Sequence, residues 1–185
     1  MNRAALISSV LFAAVALQAQ DISKKSRGIR FPPDLEAPTI TVIGVGGNSI
    51  RLTAADLAQL PQQKVQAIDH GTAVTFQGVL LTDLLAKVDT PSAEKYRGTA
   101  ASYYVLVQAA DGYRAVFSWA EIDPTFSDRK VYVVTKRDGT LLGNDGPFFT
   151  VVPDDKRQSR WVKRVVGIVI KQAGGEGLGS NTVPN

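Results

Sequence analysis

The chain is built from short β-branched runs, each closed within a few residues by a turn signal, and this pattern limits its folds more than any other feature. Ser102–Ala109 and Tyr113–Phe117 are strand-like on either side of Ala110-Asp111-Gly112, where Asp-Gly accepts the positive φ of a tight hairpin. Ile40–Val45 and Ser49–Leu52 flank Gly46-Gly47-Asn48 in the same way. Lys64–Ile68 and Ala73–Phe76 alternate apolar and polar positions around the turn at Asp69–Gly71. Lys130–Thr135, ending at Asp138-Gly139, and then Phe148–Val152 and Val162–Ile170 continue the series.

Helical signals are short. Thr53-Ala54-Ala55-Asp56 and Ser118-Trp119-Ala120-Glu121 have capping-box spacing, and each opens a helix soon stopped by proline, at Pro61 and Pro124. Leu80, Leu81, Leu84, Leu85 and Val88 recur at helical spacing and predict one amphipathic helix packed on a sheet. Many strands with few short helices, outside a regular βαβ alternation, predict a single α+β domain with a mixed sheet.

The ends of the sequence read differently. Met1-Asn2-Arg3, the uncharged run Ala4–Leu17 and the small-residue pattern before Gln20 predict a secretory signal peptide over residues 1–19. The run is shorter than the ~20 apolar residues that cross a bilayer, so no membrane span is expected once the leader is removed. The protein is therefore expected to be exported, either periplasmic or secreted. Residues 20–38 read as an extended lead-in, 39–171 as the folded domain, and 172–185 as a disordered tail poor in large apolar residues.

Composition excludes several chemistries. The 185 residues contain no cysteine and one histidine, His70, so thiolate chemistry and zinc sites made of several His or Cys ligands are ruled out. A formal charge of +4 is too mild to argue for nucleic acid. Gly44 and Gly46 begin a dinucleotide fingerprint, but Ser49 stands where its third glycine belongs and a strand follows instead of a helix.

Four motifs, taken in order, carry a resemblance: LTAADLAQLP, FQGVLLTDLL, VQAADGYRAVFSWAEIDP and RDGTLLGNDGPFFTVVPDDKRQSRWVKRVVGIVI. The series resembles the oxidoreductase molybdopterin-binding domain, the catalytic-domain fold of sulfite oxidases, in its short, exported, stand-alone bacterial form. The resemblance implies a mixed-sheet fold; on residue chemistry, Gly78 lets a strand turn tightly into the Leu80–Val88 helix, Asp111-Gly112 closes a hairpin, and Gly146-Pro147 fixes a bend before a buried strand. The resemblance also implies a molybdenum held by the pterin sulfurs and by one cysteine from the strand before FQGVLL. That strand corresponds to KVQAID, Lys64–Asp69, and neither Gln66 nor Asp69 replaces a soft thiolate.

Candidate binding residues cluster near the C-terminus. Lys156, Arg157, Arg160, Lys163 and Arg164 supply five cations within nine residues that hold no acid. Lys163 is the position that resembles the pterin-approaching base of the family, and Arg157 with Arg160 have the paired donors that suit a phosphate. The same run also suits a solvated basic strand edge. His70 is either an anion donor and acid–base group beside the empty ligand strand or a polar turn residue. Trp161 is expected in the core, and Asp154-Asp155 as a solvated turn.

The leading expectation is a non-catalytic module that binds a pterin, a small anionic ligand or a protein partner. Two alternatives stand beside it. One is a molybdopterin-dependent oxidoreductase holding its cofactor through Lys163, Arg157 and Arg160 without a thiolate; the other is a structural component of an exported complex.

Overall fold

The structure is a computed structural model and describes residues 37–91 and 99–174. The leader, most of the lead-in, the end of the tail and most of the polar stretch 90–98 lie outside the described residues.

Two five-stranded sheets share one core. In the first, β1 (Thr39–Ile43) and β2 (Ser49–Thr53) form a hairpin, and β5 (Tyr103–Ala109) and β6 (Arg114–Ser118) form another. The last strand, β10 (Val165–Gln172), lies between them, parallel to β1 and antiparallel to β5, giving the order β2-β1-β10-β5-β6. In the second sheet β3 (Gln63–Asp69), β4 (Thr72–Leu80), β7 (Tyr132–Arg137) and β8 (Thr140–Leu141) lie in chain order, and β9 (Phe149–Val151) also pairs with β7. The short helices are α1 (Ala54–Ala58), α2 (Leu81–Leu85) and α3 (Trp119–Ile122).

Burial follows the strand period. Along β5 every second residue is buried, placing Tyr103, Val105, Val107 and Ala109 inward. Ile40 and Val42 of β1 and Ile168 and Ile170 of β10 join them. Phe76, Val133 and Phe149 complete the same cluster from the second sheet.

The turn chemistry read from the sequence is present. Gly112 has φ 87°, and the dipeptides His70-Gly71 and Asp138-Gly139 both take positive φ, which twists their hairpins in the direction the strands require. In both capping boxes, Thr53 with Asp56 and Ser118 with Glu121, each side chain meets the other's backbone N–H. The α+β class with few, short helices is the one the pattern implied, but in place of one mixed sheet the strands divide into two, the first mixed through the β1–β10 pair and the second antiparallel throughout.

Two local expectations are corrected. The helix expected over Leu80–Val88 is only the five residues of α2: β4 stays extended through Leu80, with Leu81 donating its N–H to Val131 O at 2.8 Å, and beyond Leu85 the chain tightens into turns in which Lys87 and Val88 donate to Leu84 O and Leu85 O. Gly78 is not at a strand-to-helix turn but inside β4, at a register shift against β7. A Cβ there would lie 2.2 Å from Val133 O, so the position is set by close backbone approach.

Candidate functional site

The basic segment 156–164 forms a strap between β9 and β10, held from beneath by a buried threonine. Thr150 Oγ1 accepts the Val162 N–H at 2.7 Å and donates to Arg160 O at 3.0 Å. Trp161 anchors the middle: its indole donates to Val152 O at 3.1 Å, and its ring meets Phe76 and Phe149 edge-on at centroid distances of 5.6 and 6.0 Å. With 7% of its surface exposed, it occupies the core position expected of it. Arg164, at φ 49°, turns the chain into β10.

The strap ties the hairpin turns of both sheets together. Tyr113, at the start of β6, donates its hydroxyl to Ser159 O, and Gln158 donates its amide to Ile68 O at 2.8 Å. Between the strap and the β5–β6 turn lies a cleft of about 230 Å³, lined by Ala109, Asp111, Tyr113, Gln158, Ser159, Trp161 and Lys163. Both oxygens of Asp111 are engaged, Oδ1 by the Tyr113 N–H at 3.0 Å and Oδ2 by Arg164 Nη2 at 2.8 Å. The Tyr113 N–H and then the Arg164 guanidinium hold its carboxyl below the usual carboxylate range.

The four candidate residues from the sequence do not form one site. Arg160 points inward: Nε and Nη2 grip Asp155 at 2.9 and 2.7 Å, Nη1 reaches Glu121 at 2.8 Å, and the guanidinium covers the Phe117 ring at 4.7 Å. The Asp155 hydrogen bond, with the charges of both carboxylates, raises its pKa above the ordinary arginine value. Lys163 lines the cleft and pairs with Asp145 at 3.0 Å, yet its side chain remains 53% exposed. Arg157 is exposed and has no ion pair among the described residues. His70 tops the β3–β4 turn, 84% exposed, with Nε2 3.7 Å from Asp69.

Asp155 corrects the expectation of a solvated Asp154-Asp155 turn. Its side chain is 11% exposed and receives Arg129 at 3.2 Å as well as Arg160. The cleft residues Asp111, Tyr113, Gln158 and Ser159 were not singled out as binding residues in the sequence. The signal there was the Asp-Gly hairpin, and nothing local told that its tip faces the strap.

The strand KVQAID can be tested directly against a molybdenum ligand. It is β3, its Gln66 is exposed, and its one carboxylate, Asp69, is ion-paired with Arg137, which also lies 3.8 Å from Asp145. The donor set holds no sulfur, and its one hard oxygen ligand is already committed to a guanidinium. No group of three or more His, Cys, Asp or Glu side chains suited to a metal occurs among the described residues. The residues present do not fit molybdenum ligation of the thiolate type.

Comparison with solved structures places this fold beside that of the sulfane dehydrogenase SoxCD from Paracoccus pantotrophus. The TM-score is 0.58 at 16% sequence identity, over 74% of this chain and 38% of the other. The likeness concerns the fold, and this chain spans well under half of that protein's chain. No protein-family model matches the chain, and no curated protein matches it significantly. Among the described residues no helix is long and apolar enough to cross a membrane.

Proposed function

We propose that this chain is an exported binding module on a molybdopterin-oxidoreductase-type fold, working without a protein-ligated molybdenum. The observation that carries the reading is the state of β3, where the resemblance calls for a thiolate: its carboxylate is neutralised by Arg137 and it offers no soft ligand. The fold shared with a sulfane dehydrogenase at low identity supports the scaffold type and transfers no activity.

The alternative of a cofactor held by the basic strap loses its strongest member. Arg160 donates to Asp155 and Glu121 from every nitrogen of its guanidinium, so a phosphate would have to displace a bidentate carboxylate. Binding is assigned instead to the cleft between the strap and the β5–β6 turn, which presents both an exposed cation and aromatic surface.

Elemental analysis for molybdenum, with a fluorescence assay for oxidised pterin, tests the reading on protein purified from a host that makes the cofactor. Both are expected at background, and stoichiometric molybdenum with pterin refutes it. Export is checked by cell fractionation and N-terminal sequencing of the mature chain, expected to begin near Gln20; a cytoplasmic chain that keeps Met1 or Asn2 overturns that part.

A further inference from the structure

Resting on the binding-module reading, we propose that the cleft at the strap takes a small aromatic carboxylate whose ring lies against Tyr113 and Trp161 and whose carboxylate pairs with Lys163. The size of the space is the first constraint. At about 230 Å³ it is smaller than the ~300–1,000 Å³ of pockets that hold drug-sized ligands, which suits an occupant of about one ring with a short substituent.

The walls select an aromatic body. Tyr113 is half exposed although its hydroxyl is fixed on Ser159 O, so its ring stands as a rigid apolar surface at the cleft. Trp161 also borders the cleft, but at 7% exposure with its N–H turned inward to Val152 O it adds only a narrow edge to the wall that Tyr113 forms. Rigid rings with little rotamer freedom to lose favour a flat aromatic partner in offset or edge-on contact.

The charges select an anion. Asp111 and Lys163 are the ionisable groups in the lining whose charges could meet a ligand, and they differ in what they have left to offer. Asp111 accepts at both oxygens from within the fold, whereas Lys163 has one acceptor for three ammonium protons. That acceptor is replaceable, because the lysine end of the pair is half solvated, though Asp145 is only 23% exposed, and Asp145 retains Arg137 at 3.8 Å if Lys163 turns to a ligand. The Ser159 hydroxyl and the free Oε1 of Gln158 add neutral polar groups at the rim suited to a ring hydroxyl or a second carboxylate oxygen. The site as built is therefore latched by Asp145, and the ligand carboxylate exchanges with it.

The test uses the full-length chain, metal-free as purified, with benzoate as probe and benzamide as its uncharged counterpart. Binding is followed by NMR shifts of the Tyr113 ring and the Trp161 indole. Benzoate is expected to give saturable shifts at both and to bind about tenfold more weakly to Lys163→Met, the loss of one charge-assisted contact. Asp145→Asn is expected to bind benzoate more tightly, since it releases Lys163, and benzamide is expected to bind weakly and alike to all three proteins. Benzoate that fails to saturate, binds Lys163→Met as well as the parent, or binds no better than benzamide overturns the proposal. Unchanged or weaker binding to Asp145→Asn overturns the exchange. A molybdenum-loaded native protein would refute the binding-module reading through a different measurement, leaving this titration to be read on its own.

Discussion

Replacing Arg160 by methionine separates an inward structural role from a ligand-binding one. The substitution keeps the apolar stem and removes three charge-assisted hydrogen bonds, at 2.9 and 2.7 Å to Asp155 and 2.8 Å to Glu121, together with the cation over Phe117. Bonds to charged groups contribute about 1.5–3 kcal/mol each, but three on one guanidinium do not add. Arg129 stays beside both acids, at 3.2 Å from Asp155 and 3.7 Å from Glu121, so neither carboxylate is left without a cation. With Asp155 only 11% exposed but Arg129 still beside it, the net cost should be about 2 kcal/mol, the range of one charge-assisted bond and below that of a stranded buried charge. Urea unfolding followed by tryptophan fluorescence measures it as a fall in midpoint at constant slope. The double variant Arg160→Met/Asp155→Asn should cost less than the sum of the two single variants, since both remove the same pair. A single-variant loss below about 0.5 kcal/mol would place Arg160 with ordinary surface residues and refute the inward assignment.

Other perturbations test other parts of the structure. Gly78→Ala forces a methyl against the backbone of Val133 and Val134 and should cost about 3 kcal/mol or lower the yield of folded protein; thermal melts within a degree of the parent would contradict it. Thr150→Val keeps the volume but leaves the Val162 N–H and Arg160 C=O without their partner, an expected loss of about 2 kcal/mol by urea titration. Ser118→Ala removes the cap of α3 for about 1 kcal/mol in the same titration. On the acid side, Asp56 is held below its ordinary pKa by the Thr53 hydroxyl and backbone, and Asp111 by the Tyr113 N–H and Arg164. Both favour the fold above the unfolded carboxylate pKa and lose that contribution as pH falls through their lowered folded values, so Asp111→Asn should flatten the acid limb of stability against pH.

Local order was legible in the sequence wherever the deciding atoms are close in the chain. The capping boxes need three-residue spacing, and the positive-φ turns need Asp-Gly or His-Gly between alternating runs; both were readable and both are present. The insertion of β10 between β1 and β5 was not legible, because β-branched runs carry no label for their neighbours. The length of α2 was lost for a related reason. Helical spacing over Leu80–Val88 is a propensity; the pairing of Val79 and Leu80 with β7 delays its start, and after Leu85 the bonds tighten to three-residue turns.

The basic strap shows why charge alone does not reveal a site. Five cations without an acid among nine residues look like a surface awaiting an anion. In the fold three of them meet acids: Arg160 takes Asp155 and Glu121, Lys163 takes Asp145, and Arg164 takes Asp111. Glu121 lies 39 residues from Arg160 and Asp111 53 from Arg164, distances at which no spacing rule connects them. Burial then distinguishes the pairs. The Arg160 cluster is mostly enclosed and holds α3 against the strap through Glu121, whereas Lys163 is half exposed beside an open cleft. A partly solvated pair is weak enough to be exchanged and an enclosed bidentate pair is not. That difference argues against Arg160 as an anion-binding residue and supports the proposal that Lys163, beside the cleft, takes that role.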